Sequence, residues 1–100
     1  DYYTIWKYIN EDPYYKNSTA FFITNDHGRH LDSEGGFSGH GDDCEGCSHI
    51  NLFAAGPDFK KGVIIDEVYE QIDISSTISK IMNLDMKTSD GKVIYDLFNN

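Results

Sequence analysis

Residues 20–28 read Ala20-Phe21-Phe22-Ile23-Thr24-Asn25-Asp26-His27-Gly28, an apolar run that ends in a polar turn. Residues 19–25 are rich in β-forming side chains and apolar on both faces, which predicts an interior strand of a parallel sheet. Asp26 and His27 would then lie at the carboxyl end of this strand, where open α/β sheets bind their ligands. Gly28 lets the chain turn sharply there, because it has no Cβ.

Apolar residues elsewhere recur at spacings that predict two helices and further short strands. A helix before Pro13 is predicted by four residues on one face, Tyr2, Ile5, Trp6 and Ile9. A second helix is predicted with Asp73 as its N-cap and with apolar residues along one face at Ile74, Ile78, Ile81 and Met82. Short apolar runs predict strands at residues 50–55 and 63–65, and an edge strand or short tail at 93–95. Helices alternating with strands indicate an α/β layer fold.

The composition limits both the size of the protein and its classes of partner. The 100 residues fit one small domain or a piece of a larger one, and 39% hydrophobic residues are enough for a core. The net charge of −9 argues against a nucleic-acid duplex or an anionic membrane as partner. We expect no membrane span, because the sequence has no apolar run of about 18 residues. The compartment stays open, with a periplasmic or extracellular location favoured.

The metal-binding side chains are concentrated in one loop. Residues 28–49 show no periodicity, and eight of the nine glycines lie between Gly28 and Gly62. A loop of this length in a small domain is usually functional or mobile. Within 26–49 the sequence places every histidine and both cysteines, namely His27, His30, His40, His49, Cys44 and Cys47. We therefore interpret residues 26–49 as a metal-binding loop.

Three short motifs follow one another along the chain: Thr24-Asn25-Asp26-His27-Gly28, Gly39-His40-Gly41 and Ala55-Gly56-Pro57. Together with Gln71-Ile72-Asp73-Ile74-Ser75-Ser76-Thr77-Ile78, they make residues 19–98 resemble the C-terminal third of the alkaline phosphatase superfamily. That superfamily includes nucleotide pyrophosphatase/phosphodiesterases, sulfatases and cofactor-independent phosphoglycerate mutases. The Gly-His-Gly loop and its distance to Ala-Gly-Pro favour the phosphodiesterase branch. The resemblance implies that residues 1–100 are the C-terminal part of an α/β/α sandwich with a mostly parallel sheet.

The resemblance also implies a site for two divalent metal ions, zinc or, with more oxygen ligands, manganese. Asp26 and His27 would bind one ion and His40 the other, in a hydrolase of phosphate (di)esters or sulfate esters. The nucleophile and a further Asp-x-x-x-His ligand pair lie upstream in this superfamily, before the helix that opens this chain. We expect the remainder of its own polypeptide to complete the site, and the isolated chain to be inactive.

The roles of several loop residues stay open at the level of sequence. Arg29 is a candidate substrate contact, because a guanidinium forms bidentate pairs with phosphate, but it also fits a solvated turn. His49 competes with His40 as the third ligand, although its place beside Ile50 favours a core or supporting role. Metal-bound histidines need an acceptor for the second ring nitrogen, and the candidates are Asp32, Asp42 and Asp43.

The Cys44-Glu45-Gly46-Cys47 pair allows three interpretations: a small disulfide, half of a structural zinc site, or two free thiols. The zinc interpretation defines a second hypothesis, in which the chain is a small binding module with Cys44, Cys47, His40 and His49 around one ion. In that case His40 would be lost to the hydrolase site. Loss of the metal on thiol alkylation would favour the module, and its loss in Asp26→Ala would favour the hydrolase.

Overall fold

Strands β1 (Phe21–Thr24) and β2 (Leu52–Ala55) form the sheet in the computed structural model, which describes residues 1–99. They lie among three α-helices, α1 (Tyr2–Glu11), α2 (Glu45–Ser48) and α3 (Gln71–Ile81), and three short 3₁₀ helices, Asp32–Glu34, Gly36–Ser38 and Tyr95–Leu97. The chain therefore mixes helix and strand, as its sequence predicts. Within residues 1–99 the sheet has two strands only.

The expectation of a parallel sheet in a sandwich is wrong for the described residues. β1 and β2 pair antiparallel, with Phe21 opposite Ala55 and Thr24 opposite Leu52. Parallel neighbours need a crossover connection, usually a helix of a dozen or more residues including its loops. The segment between these strands supplies only short helical turns, so the chain returns beside β1 in the opposite direction. An apolar run on both strand faces does not by itself reveal the pairing direction.

A capping residue and a proline set the two ends of helix α1. Asp1 caps it, because its Oδ1 accepts a hydrogen bond from the Thr4 backbone N–H at 2.8 Å. The helix ends at Glu11, two residues before Pro13. Trp6 stacks on Phe21 of β1 with ring centroids 5.8 Å apart. This contact holds the helix against the strand that leads into the Asp26-His27 turn.

Helix α3 begins at Gln71, and its N-cap is Glu70 rather than Asp73. Asp73 is three residues into the capping box, and its Oδ2 accepts from the Glu70 backbone N–H at 2.8 Å. Its Oδ1 accepts from the Lys92 backbone N–H at 2.7 Å. These two hydrogen bonds hold the pKa of the buried Asp73 carboxyl below its usual value, mainly through Lys92. The sequence thus identified Asp73 as a capping acid but assigned it to the N-cap instead of the third helical position.

The buried side of α3 is polar rather than apolar. Thr77 is fully buried, and its Oγ1 donates to the Asp73 carbonyl and accepts from the Ile94 N–H at 2.9 Å. Ser76 and Ser89 hydroxyls bond at 2.8 Å. The Ile94 N–H thus bonds to an α3 side chain, and the chain continues into a 3₁₀ helix, so of the two predictions for 93–95 the short tail holds and the edge strand does not. Residues 63–65 likewise form no strand in the part of the chain that the structure describes.

The apolar core is small and lies between the sheet and the C-terminal segment. Phe59 is 1% exposed and packs between Phe22 and Phe98, with ring centroids 5.3 and 5.4 Å away. The accessible surface is 7841 Å². A folded monomer of this mass exposes about 5,800 Å² on average, so an unusually large area is uncovered. Within residues 1–99, no helix has both the length and the apolar content needed to cross a membrane.

Candidate metal centre

The turn that follows β1 is fastened to the residue that precedes β2. Asn25 uses its side-chain amide twice: Oδ1 accepts from the Asn51 N–H at 2.9 Å, and Nδ2 donates to the His27 carbonyl at 2.9 Å. Thr24 Oγ1 donates to the Asn51 carbonyl at 2.8 Å. A cavity of about 690 Å³ opens at this edge of the sheet, lined by Asn25, Asp26, His27, Gly28, Arg29, Leu31, Phe37, Gly46, His49 and Asn51.

Asp26 and His27 direct their metal-binding atoms towards each other. The distance from Asp26 Oδ1 to His27 Nε2 is 3.7 Å, and the carboxylate is largely exposed. His27 Nδ1 lies 2.8 Å from the Gly28 carbonyl oxygen, which accepts only if Nδ1 carries the proton. This tautomer leaves the Nε2 lone pair free for an ion. The acceptor is therefore a backbone carbonyl and not Asp32, Asp42 or Asp43, which sequence reasoning considered for this role.

His40 lies against His27, although 12 residues separate them. The two imidazole rings stack with centroids 4.3 Å apart and an interplanar angle of 17°. The structure thus places both His40 and Asp26 beside His27, but among the described residues these three do not form a group whose ligand atoms all lie within 4.8 Å of one another. His49 is exposed and lines the same cavity. Arg29 also lines the cavity, with its guanidinium carbon 5.3 Å from the centre of the Phe37 ring.

The loop packs so closely on the Asp26-His27-Gly28 turn that two of its glycines have no room for a side chain. A Cβ on Gly28 would lie 1.9 Å from the Gly46 carbonyl oxygen, and a Cβ on Gly46 would lie 2.2 Å from the Arg29 carbonyl oxygen. The Gly28 N–H donates to the Cys47 carbonyl at 2.7 Å. Helix α2 therefore supports the turn directly, backbone against backbone.

A second cluster lies in the same loop and consists of His30, Asp42, Cys44 and Cys47. One donor atom from each of these side chains lies within 4.8 Å of the others, so the group could bind a metal ion. His30 Nε2 is 3.0 Å from Asp42 Oδ2. Cys44 and Cys47 are free thiols whose Sγ atoms lie 2.9 Å apart.

This cluster differs from the zinc module that the sequence suggested. His30 and Asp42 join the cysteines, whereas His40 stacks on His27 and His49 lines the cavity. His40 is therefore no longer shared between the cysteine cluster and the predicted hydrolase site. Sequence reasoning treated Asp42 as a hydrogen-bond partner of a metal-bound histidine, and it missed both His30 and Asp42 as members of this group. The available signal was Asp42 two residues before the Cys-x-x-Cys pair.

The cluster's hydrogen bonds shift the ionisation of its members in opposite directions. The Cys44 thiol and backbone N–H both donate to Asp42 and hold the pKa of its carboxyl far below the usual range. The bonds of Cys44 to Cys47 and Asp42 raise the pKa of the Cys44 thiol to about 12. The Asp42 carboxylate is thus the favoured anion of the cluster. Ionisation of the thiols needs a cation to replace their protons.

The chain matches no protein-family model, and comparisons with curated proteins and with solved structures give no significant match. Fold and site geometry therefore carry the functional argument.

Proposed function

We propose that this chain is part of a two-metal hydrolase of phosphate (di)esters or sulfate esters, of the kind found in the alkaline phosphatase superfamily. Asp26 and His27 would bind one divalent ion, and His40 would bind the other. The observation that carries this proposal is the stacking of His27 and His40, with ring centroids 4.3 Å apart, beside the Asp26 carboxylate. These residues lie on two separate segments of the chain, and His27, which lines the cavity, contacts both of the others.

The geometry at Asp26 and His27 suits zinc. Zinc–nitrogen and zinc–oxygen bonds of about 2.0–2.2 Å at a tetrahedral angle separate the two donor atoms by about 3.4 Å. The separation of 3.7 Å between Asp26 Oδ1 and His27 Nε2 is close to this value. The hydrogen bond between His27 Nδ1 and the Gly28 carbonyl leaves Nε2 as the coordinating nitrogen. Manganese would fit if the rest of the polypeptide supplied more oxygen ligands.

The two ions, when bound, would supply positive charge to the attacking and leaving oxygens of an ester and lower the pKa of a hydroxyl nucleophile. The chain's own residues would shape the rest of the site. The Arg29 guanidinium would contact a non-bridging oxygen of the phosphate or sulfate group, and the Phe37 ring would hold it in place. His49 also lines the cavity and would have a supporting role without binding an ion.

The remainder of the polypeptide would complete both the active site and the fold. The uncovered surface of 7841 Å² exceeds that of an average folded monomer by about 2,000 Å². Helix α1 contributes apolar and aromatic side chains to it, including Tyr2, Tyr3, Ile5 and Tyr8. A segment of the same chain that supplies the nucleophile and the other ligands would cover this area. The isolated 100 residues would then have no significant turnover.

The test uses the complete polypeptide, chromogenic phosphate monoester, phosphate diester and sulfate ester substrates, and zinc or manganese returned after chelation. We expect metal-dependent hydrolysis of at least one substrate, its loss in Asp26→Ala, and its retention in the matched control Asp43→Ala. Asp43 is an exposed acid of the same loop that lies in neither metal-binding group. Hydrolysis that is unaffected by Asp26→Ala, or absent with every substrate and metal, would refute the proposal.

A further inference from the structure

The cluster of His30, Asp42, Cys44 and Cys47 shares no ligand with the proposed hydrolase site. It offers one nitrogen, one oxygen and two sulfur atoms at one point in the loop. We propose that these four side chains bind a third metal ion, a structural zinc that fixes the conformation of residues 26–49. This site is additional to the two ions of the proposed hydrolase.

The donor set and its geometry both favour zinc. Two thiolates exclude the hard cations magnesium and calcium, and a mixed set of two sulfurs, imidazole and carboxylate suits a four-coordinate zinc ion. Tetrahedral zinc with bonds of about 2.3 Å separates two sulfurs by about 3.8 Å. The cysteine sulfurs are 2.9 Å apart, so each would move outwards by less than 1 Å. Cys47 is buried, as is usual for a ligand of a closed structural site.

The backbone already places the ligands for this ion. The Cys44 N–H donates to Asp42 Oδ1 at 2.9 Å, and the Cys47 N–H donates to Cys44 Sγ at 3.2 Å. The His30 N–H donates to the Gly39 carbonyl at 2.9 Å. The His30 ring lies directly on Gly39, where a Cβ would be 2.2 Å from Nδ1. A disulfide would use only the two sulfurs and would leave the convergence of His30 and Asp42 unexplained.

The position of the cluster explains what a structural ion would do. Cys47 accepts from the Gly28 N–H at 2.7 Å, and the neighbouring Gly46 packs against the Arg29 backbone. An ion held by Cys44 and Cys47 therefore fixes the short helix on which the Asp26-His27-Gly28 turn rests. Loss of this ion would loosen the hydrolase ligands without removing any of them.

The test is cobalt substitution of the complete, reduced polypeptide, followed by absorption spectroscopy. Among the cobalt ions bound by each chain, we expect one to show thiolate-to-cobalt charge transfer in the near ultraviolet and strong tetrahedral visible bands. His30→Gln and Asp42→Asn should each weaken this site at least about tenfold, and Cys47→Ser should abolish the charge-transfer band. Asp43→Asn and Asp26→Ala should leave the band unchanged, which separates this site from the proposed hydrolase site.

Three results would overturn the proposal. Cobalt binding without a thiolate band would show that the cysteines are not ligands. A band that survives both His30→Gln and Asp42→Asn but disappears in His49→Gln would assign a different ligand set. Absence of titratable thiols in the complete polypeptide purified without reductant would identify a disulfide. His30→Gln and Asp42→Asn keep both cysteines, so the test stands even if Cys47→Ser does not fold.

Discussion

The imidazole rings of His27 and His40 stack at 4.3 Å between centroids, at the point where β1 ends. His27 is placed by the strand and by its hydrogen bond to the Gly28 carbonyl. His40 is carried back to it by the loop, in which the His30 N–H bonds to the Gly39 carbonyl. The contact therefore depends on the whole loop, and we expect substitutions in the loop to change how His40 packs on His27.

Replacing His40 should impair hydrolysis by the complete polypeptide more than it impairs folding. We expect His40→Ala to lower kcat/KM at least about a hundredfold, since even supporting residues of metal sites cost 10–100-fold. Its exposed position predicts little change in the free energy of unfolding. Steady-state kinetics and urea unfolding measure the two quantities, with Asp43→Ala as the control. Unchanged kinetics in His40→Ala would remove it from the ligand set.

Replacing Gly46 should disturb the metal sites through the backbone alone. In Gly46→Ala the new Cβ would lie 2.2 Å from the Arg29 carbonyl oxygen, so α2 must move away from the turn. We expect a loss of about 1–3 kcal/mol in the free energy of unfolding, as for other overpacked sites, together with weaker zinc binding.

Isothermal titration calorimetry and urea unfolding check the effect of Gly46→Ala. Glu45→Ala is the control, because Glu45 is an exposed residue of the same helix. Equal zinc affinity in the two variants would show that the contact between α2 and the turn does not support the site.

Asp73 should stabilise the C-terminal half of the chain in a pH-dependent way. Asp73→Ala removes the acceptor for the Glu70 and Lys92 N–H groups, and we expect it to cost about 1–2 kcal/mol of unfolding free energy at neutral pH. The folded-state pKa of Asp73 is lowered, so its stabilisation is present above the unfolded pKa of about 3.9 and is lost as pH falls through the folded value.

Urea unfolding of wild type and Asp73→Ala at several pH values measures this difference. The gap between the two proteins should narrow below about pH 4. Asp90→Ala, an exposed acid near the same turn, should behave as wild type. A gap that is constant down to pH 2 would contradict the role of the ionised carboxylate.

Tyr69 should ionise later than the other tyrosines. Its hydroxyl donates to Asp96 Oδ2, and this bond raises the pKa of Tyr69 to about 12. Because the folded pKa is raised, the stabilisation is complete below the unfolded pKa of about 10 and is lost as pH rises towards 12. Ultraviolet titration of the phenols should show a late step that Tyr69→Phe removes and Tyr95→Phe keeps. A titration with no late step would contradict the bond.

Local sequence signals predicted helices α1 and α3 and strands β1 and β2, because each signal acts within a few residues. Pro13 limits α1, and the acid at position 73 is part of the capping box of α3. The predicted parallel pairing was wrong, because β1 and β2 are joined by a long loop whose path shows no periodic pattern in the sequence. Residues 93–95 form the short tail and not the edge strand of the two predicted alternatives, since the Ile94 N–H bonds to Thr77, 17 residues away.

The candidate metal ligands divide in the same way into those marked by local sequence and those that depend on long-range contacts. Asp26 and His27 are adjacent in sequence, and the Gly-His-Gly motif marked His40. The grouping of His30 with Asp42 and the cysteines depends on how the loop folds back, whereas the zinc module predicted from sequence grouped the cysteines with His40 and His49. The acceptor for His27 is a backbone carbonyl, which every residue carries and no side-chain pattern reveals.

The central claim is that Asp26, His27 and His40 hold metal ions for hydrolysis. Anomalous diffraction at the zinc edge, from crystals of the complete polypeptide grown with zinc, tests it most directly. The account predicts one peak bonded to Asp26 and His27 Nε2, a second bonded to His40, and a separate third peak among His30, Asp42, Cys44 and Cys47. Crystals that show zinc only at the cysteine cluster, with Asp26 and His27 bare, would contradict the hydrolase assignment.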